Sequence, residues 1–153
     1  NPGDKEARSA MLQGSLIAGM AFANASVAAI HGLAYPLGAR FHIPHGHANA
    51  LVMAQVIRFN LPAAKKLYAE LAPCLIEGVD FDSEDAAAEA FVKRIEEMVP
   101  ASGLEIRLRD LGVTKESLPE MAEEVFTKIH RLIDSNPRDM TAKEIEAIYR
   151  SVY

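Results

Sequence analysis

"HGLAYPLGARFHIPHGHANA", residues 31–50, carries four of the chain's five histidines: His31, His42, His45 and His47. No Asp or Glu lies between Arg8 and Lys66, so none of these imidazoles has a carboxylate close in sequence. Gly32, Pro36, Gly38, Pro44 and Gly46 punctuate the same stretch. Proline lacks a backbone donor and clashes with the preceding helical turn, so His31 and His45 are expected on two sides of a turn and not on one continuous helix. On both flanks apolar residues recur at three- and four-residue spacing, the period of a helix face, and sustained period-two alternation is absent. The fold class that follows is all-α, a helical bundle-like domain.

Working outward, Ser9 to Ala39 holds no charged residue. That run is long enough to raise a membrane span. Its Ala, Gly, Ser and Asn content and the break at Pro36 fit instead a helix buried at the centre of the fold. The first helix is expected from about Asp4 through "KEARSAMLQGSLIAGMAFANA", and a short second one over "SVAAIHGLA". Further helices are expected from Gly46 through "HANALVMAQVIRFN" and from Pro62 through "AAKKLYAELAPCL". Ser83 caps "EDAAAEAFVKRIEEMV", whose first turn is acidic. "LEIRLRDLGV" reads as a loop with at most a helical turn. Pro119 opens "EMAEEVFTKIHRLI", Asn136-Pro137 ends it, and Thr141 with Glu144 forms a capping-box pattern for a terminal helix.

The 153 residues suit a single domain covering 1–153. Net charge is -5 and the basic residues are scattered, which argues against a nucleic-acid partner. One cysteine, Cys74, excludes an internal disulfide and a Cys-rich zinc site, as a reducing, cytoplasmic setting predicts. The opening "NPGDKEARSA" has no basic tip followed by an apolar run, and it lacks a Met, so a segment of something longer is the expectation.

A lone histidine beside a turn is more often a surface residue, or one satisfied by a backbone carbonyl, than a ligand. Four together shift the odds. His31 ends one nearly apolar helix and His45 opens another, so both are expected to face the packed interior, where an unpaired imidazole is costly and a divalent metal would satisfy it. The absent carboxylate leaves the ligand set incomplete within this region. HExxH, GxSxG, P-loop and GxGxxG motifs do not occur. Cys74 in "LAPCLIE" reads as ordinary core, His130 as structural, and Met11, Met20 and Met53 as packing.

The run "GMAFANASVAAIHGLAYPLGARFHIPHGHANALVMAQVIRFN" closely resembles the signature region of the iron-containing (group III) alcohol dehydrogenases. "ARSAMLQGSLIAGMAF" and "NPRDMTAKEIEAIYRSVY" resemble the same family's C-terminal helical domain, so the resemblance spans the chain. It implies a metal-binding domain of an NAD(P)-dependent enzyme that interconverts an alcohol and an aldehyde or ketone with Fe²⁺, or Zn²⁺, bound. By the family's HGxxHxxG and PHG patterns the metal ligands fall on His31 and His45. The family's other two ligands, an aspartate and a histidine, and its N-terminal nucleotide-binding domain lie upstream of the matching region. The resemblance thus implies a domain inactive by itself and a homo-oligomer when intact.

The second histidine of HGxxHxxG, placed in the family near the nicotinamide, is Tyr35 here. A phenol can donate a hydrogen bond but is a poorer proton shuttle than imidazole at neutral pH. Phe22, in GMAF, is the candidate for lining the substrate site. His47 lies two positions past His45, about 200° round a helix from it, and is not expected to be a ligand; the role of His42 stays open. Two rival classes remain. A standalone metal-binding or regulatory module needs a complete ligand set of its own, and a purely structural interaction domain binds no metal at all.

Overall fold

Asp4 accepts a hydrogen bond from the Ala7 amide at 3.0 Å and so caps the first helix, α1 (Lys5–Asn24). In a computed structural model describing residues 1–153, helices follow as α2 (Ala29–Phe41), α3 (His45–Leu75), α4 (Glu84–Ala101), α5 (Ser117–Lys128), α6 (His130–Asp134) and α7 (Ala142–Ser151). A 3₁₀ turn at Leu108–Leu111 occupies the segment expected as a loop, and no strand forms. The all-α expectation holds.

The main core lies where α2, the first half of α3, α5 and α7 meet. Leu33 and Leu37 of α2, Val52 and Val56 of α3, Met121 and Val125 of α5 and Ile145 of α7 are fully buried there. Gly32 lets α2 lie close to α6: a methyl at its Cα would come within 3.4 Å of Ile133 Cδ1. A smaller cluster, including Ala72, Phe91, Val92 and Ile95, joins the second half of α3 to α4. Across that seam the Arg58 guanidinium donates to both Glu96 oxygens at 2.9 and 2.8 Å and to Glu89 at 2.6 Å. The pairs raise its already high pKa, although half-exposed ion pairs of this kind stabilise by only about 1 kcal/mol or less.

Four expectations need correction. First, α2 does not stop at Pro36 but runs on to Phe41. The lost hydrogen bond is outweighed by burial of Leu33, Ala34, Pro36 and Leu37 on one side of the helix. The Tyr149 hydroxyl also donates to the Leu33 carbonyl at 2.6 Å, in the turn that the proline loosens. Second, the two helices expected either side of Pro62 form one helix of 31 residues, α3, held on both sides of the proline by its two core clusters.

Third, α1 is not a buried central helix. It buries no residue within these 153, and Met11, Leu12, Leu16, Ile17, Met20 and Phe22 stand exposed. Uniform apolarity reports that a helix wants a partner; it does not say that the partner lies in the same stretch of chain. Met11 and Met20 accordingly do not pack as expected, and Cys74, expected in the core, is exposed. Fourth, the helix expected through "HRLI" breaks at Ile129, which leaves helical geometry at φ -112° and ψ 15°, to give α5 and α6.

No single helix is long and apolar enough to cross a membrane; α1 and α2 pass that test only together, and they meet at a bend of 105°. The Ser83 cap and the Thr141–Glu144 capping box both form.

Tyr149 is fully buried with its hydroxyl bonded, and its pKa is pushed up by that burial. Tyr149→Phe should therefore remove the hydrogen bond to the Leu33 carbonyl and cost about 0.5–1.5 kcal/mol, read from the urea midpoint. At the last helix, Glu144 accepts from the Thr141 amide at 2.9 Å and its hydroxyl at 2.8 Å, which holds its carboxyl below the usual range, with Arg138 adding to the effect. A depressed pKa stabilises the fold fully above the unfolded value, about 4.3, and the gain is lost as pH falls through the folded one. Thr141→Ala should cost about 1 kcal/mol at pH 7 and flatten that acid-side loss, measured by urea unfolding across pH.

Candidate metal centre

His31 sits in the first turn of α2 and His45 is the first residue of α3. Between them α2 ends at His42, the one non-glycine residue with positive φ (55°), whose amide donates to the Gly38 carbonyl at 3.1 Å. Ile43 buries against the core and Pro44 then starts α3. This turn reverses the chain, so two histidines fourteen positions apart come to lie with ring centroids 5.1 Å apart, tilted by 55°.

The donor chemistry fits a shared divalent ion. Two imidazoles on one tetrahedral ion, with metal–nitrogen bonds of about 2.0–2.1 Å, place their centroids about 5 Å apart. His31 is half-buried, and its pKa is lowered by that burial and then by the nearby His45, which favours the neutral imidazole a metal requires. His45 is exposed, so the expectation that both rings face the packed interior is corrected: they look out from the base of α2 and α3. No group of three or more His, Cys, Asp or Glu side chains is placed to hold a metal. A metal held by this pair would need further donors from outside it.

The Tyr35 ring lies one helical turn beyond His31 and stacks beside His45, with centroids 6.2 Å apart and planes within 28°. Phe22 is brought to the same place: with His31, Ile30, Met53 and Ile57 it lines a cavity of about 610 Å³ whose wall is mainly apolar. His42 is exposed at the C-cap of α2. His47 points elsewhere, its Nε2 2.6 Å from the Glu105 carbonyl. His130 is occupied by the Phe126 carbonyl at 3.0 Å and Asp134 at 3.2 Å.

Three cavity residues escaped the sequence reading. Asn49 stands one turn after His45, its Nδ2 2.9 Å from the His45 carbonyl and 3.1 Å from His45 Nε2. Asn60, almost wholly buried, exchanges hydrogen bonds of 2.9 and 2.7 Å with Asn136 and so ties α3 to the loop before α7. Tyr68, beside Asn60, has its pKa raised by burial, a shift that Asn60 partly offsets. The available signal was polarity in a mainly apolar helix run, which Asn49 and Asn60 interrupt along with Gln55 and Arg58.

Comparison with known proteins shows the family. The family model described as "Fe-containing alcohol dehydrogenase family, C-terminal" matches residues 1–153. Lactaldehyde reductase of Escherichia coli (strain K12) is 33% identical over 99% of this chain, which covers 39% of that protein. The 1,3-propanediol dehydrogenase of Citrobacter freundii is 38% identical over 97% of the chain and 38% of its own length. Among solved structures, a 1,3-propanediol oxidoreductase superposes with a TM-score of 0.90 at 36% identity, over 99% of this chain and 39% of that one. An alcohol dehydrogenase from Oenococcus oeni does so with a TM-score of 0.90 at 32% identity, over 100% and 39%. The chain thus spans about two fifths of the length of the relatives it matches. A family model that matches residues 1–153 and a helical fold shared over the whole chain place the chain in the iron-containing alcohol dehydrogenase family, as its C-terminal domain.

Proposed function

We propose that this chain is the helical, metal-side domain of an NAD(P)-dependent alcohol dehydrogenase, with His31 and His45 as two ligands of a divalent metal, iron or zinc. The observation that carries the reading is the 5.1 Å approach of these two rings across the α2–α3 turn, with His31 in the wall of a mainly apolar cavity. When bound, the ion supplies Lewis acidity, polarising the substrate oxygen so that an alkoxide or carbonyl is stabilised while hydride passes to or from the nicotinamide.

Each of this chain's residues has a defined part in that reading. His31 and His45 offer imidazole nitrogen donors from two helix ends whose relative position the buried faces of α2 and α3 fix. Phe22, Ile30, Met53 and Ile57 present apolar surface to the carbon skeleton of a small alcohol or aldehyde and exclude water from it. Tyr35, whose ring stacks beside His45, would offer its hydroxyl as a hydrogen-bond donor to the nicotinamide side or to a proton-carrying water.

The nicotinamide, the remaining metal ligands and a cover for the apolar side of α1 belong, on this reading, to the part of a longer protein that these residues do not include. A complete protein of this family would act as a homo-oligomer in the cytoplasm. The relatives' names mention lactaldehyde, 1,3-propanediol and long-chain alcohols, so small or linear alcohols are the substrate class to test first.

The test uses a chain in which these residues follow the preceding portion of a relative such as the Citrobacter 1,3-propanediol dehydrogenase. The expected outcome is alcohol-dependent NAD(P)H formation with bound metal. His31→Ala and His45→Ala should each lose metal and lower kcat/KM by on the order of 10³ or more, at least the loss caused by removing one oxyanion-hole donor. Full activity in both variants would overturn the assignment. Tight, stoichiometric Zn(II) binding by the 153-residue chain alone would favour a self-contained metal-binding module instead.

A further inference from the structure

Asn49 is the residue in direct contact with His45, and its orientation can be fixed from its surroundings. Its Nδ2 lies 2.9 Å from the His45 carbonyl oxygen, and its Oδ1 is buried with no partner. Exchanging the two amide atoms would set one carbonyl oxygen against another with no proton between them, so the nitrogen is the atom that faces the first turn of α3. That same nitrogen lies 3.1 Å from His45 Nε2. An amide nitrogen has hydrogens to give and no lone pair to accept with, so here it can only donate. His45 Nε2 is then the acceptor, and the ring proton of the neutral imidazole sits on Nδ1.

We propose that Asn49 is a positioning residue for His45: its amide selects the tautomer in which Nε2 keeps its lone pair and holds the ring in the orientation found 5.1 Å from His31. A divalent ion arriving at Nε2 replaces one amide hydrogen, while the second stays on the His45 carbonyl and keeps the side chain in place. The function of this device rests on the metal reading above, but its effect on the tautomer does not. Asparagine within a helix commonly bonds back to the carbonyl four residues earlier, and that contact alone would leave the ring's tautomer unbiased. The tautomer therefore separates a positioning role from a merely structural one.

The experiment is a long-range ¹H–¹⁵N correlation of the imidazoles in the ¹⁵N-labelled 153-residue chain at about pH 9, above the ordinary imidazole range. In the unsubstituted chain His45 should show one dominant tautomer, with its proton on Nδ1. Asn49→Ala should give a mixture, and Asn49→Asp, which replaces the donor by an acceptor, should move the proton to Nε2. The His47 signals, set by the Glu105 carbonyl, should stay unchanged in both and report that the fold is intact. A proton on Nε2 in the unsubstituted chain, a measurement that needs no variant, would overturn the proposal, as would an unchanged tautomer in Asn49→Ala. Titrating Zn(II) into the same samples should perturb Nε2, with an affinity about tenfold weaker for Asn49→Ala, in the range seen when an outer-shell partner is lost. A tautomer that responds as expected upholds the positioning role whether or not the two donors of this chain hold Zn(II); loss of metal from His31→Ala and His45→Ala in the longer protein is the separate test of the metal reading.

Discussion

Everything that places the histidine pair depends on how α2 is held against α3. Leu33, Leu37, Val52 and Val56 are each almost completely buried between these helices and their neighbours. The turn that joins them is short and stiff: His42 adopts the left-handed conformation, Ile43 is buried, and Pro44 fixes the entry to α3. A histidine at the start of each helix has little freedom left, and a rigid pair of donors is what an ion with fixed bond lengths demands. Tyr149 extends the same constraint to the far end of the chain, since its hydroxyl serves a carbonyl of α2 across 116 residues. The terminal helix is thereby tied to α2.

Where the sequence could be read, local chemistry decided the outcome. The Thr141–Glu144 box and the Ser83 cap each rest on a few neighbouring residues, and each appears where expected. The histidine spacing was legible for the same reason, because Pro44 forces a break between His31 and His45. Prolines inside helices misled the reading, since Pro36 and Pro62 cost one backbone bond each and tertiary burial on α2 and α3 outweighs that cost. Burial itself was least legible. The composition of α1 announces an apolar surface in need of cover, yet its side chains stand exposed because nothing within these residues packs on them. His45 was misjudged in the same way, its exposure depending on neighbours that sequence distance does not reveal.

The two surfaces left open are adjacent, and that adjacency gives the domain its sense. The bare helix α1 runs into the cavity at Ala21, Phe22 and Ala25, and the same cavity reaches His31. On the proposed reading, the two imidazoles and the uncovered apolar helix would form half of a composite site, to which this chain contributes nitrogen donors and an apolar wall. The polar residues along α3 refine that wall: Asn49 addresses His45, while Asn60, joined to Asn136, anchors the far end near Tyr68.

The central claim is that one ion is shared by His31 and His45. Its most direct test is an anomalous-difference map, recorded at the iron and zinc absorption edges, from crystals of a metal-loaded longer protein that contains these residues. The account predicts a single strong peak within bonding distance of an imidazole nitrogen of each histidine, about 2.0–2.2 Å away. A well-ordered metal peak that touches neither ring would contradict it.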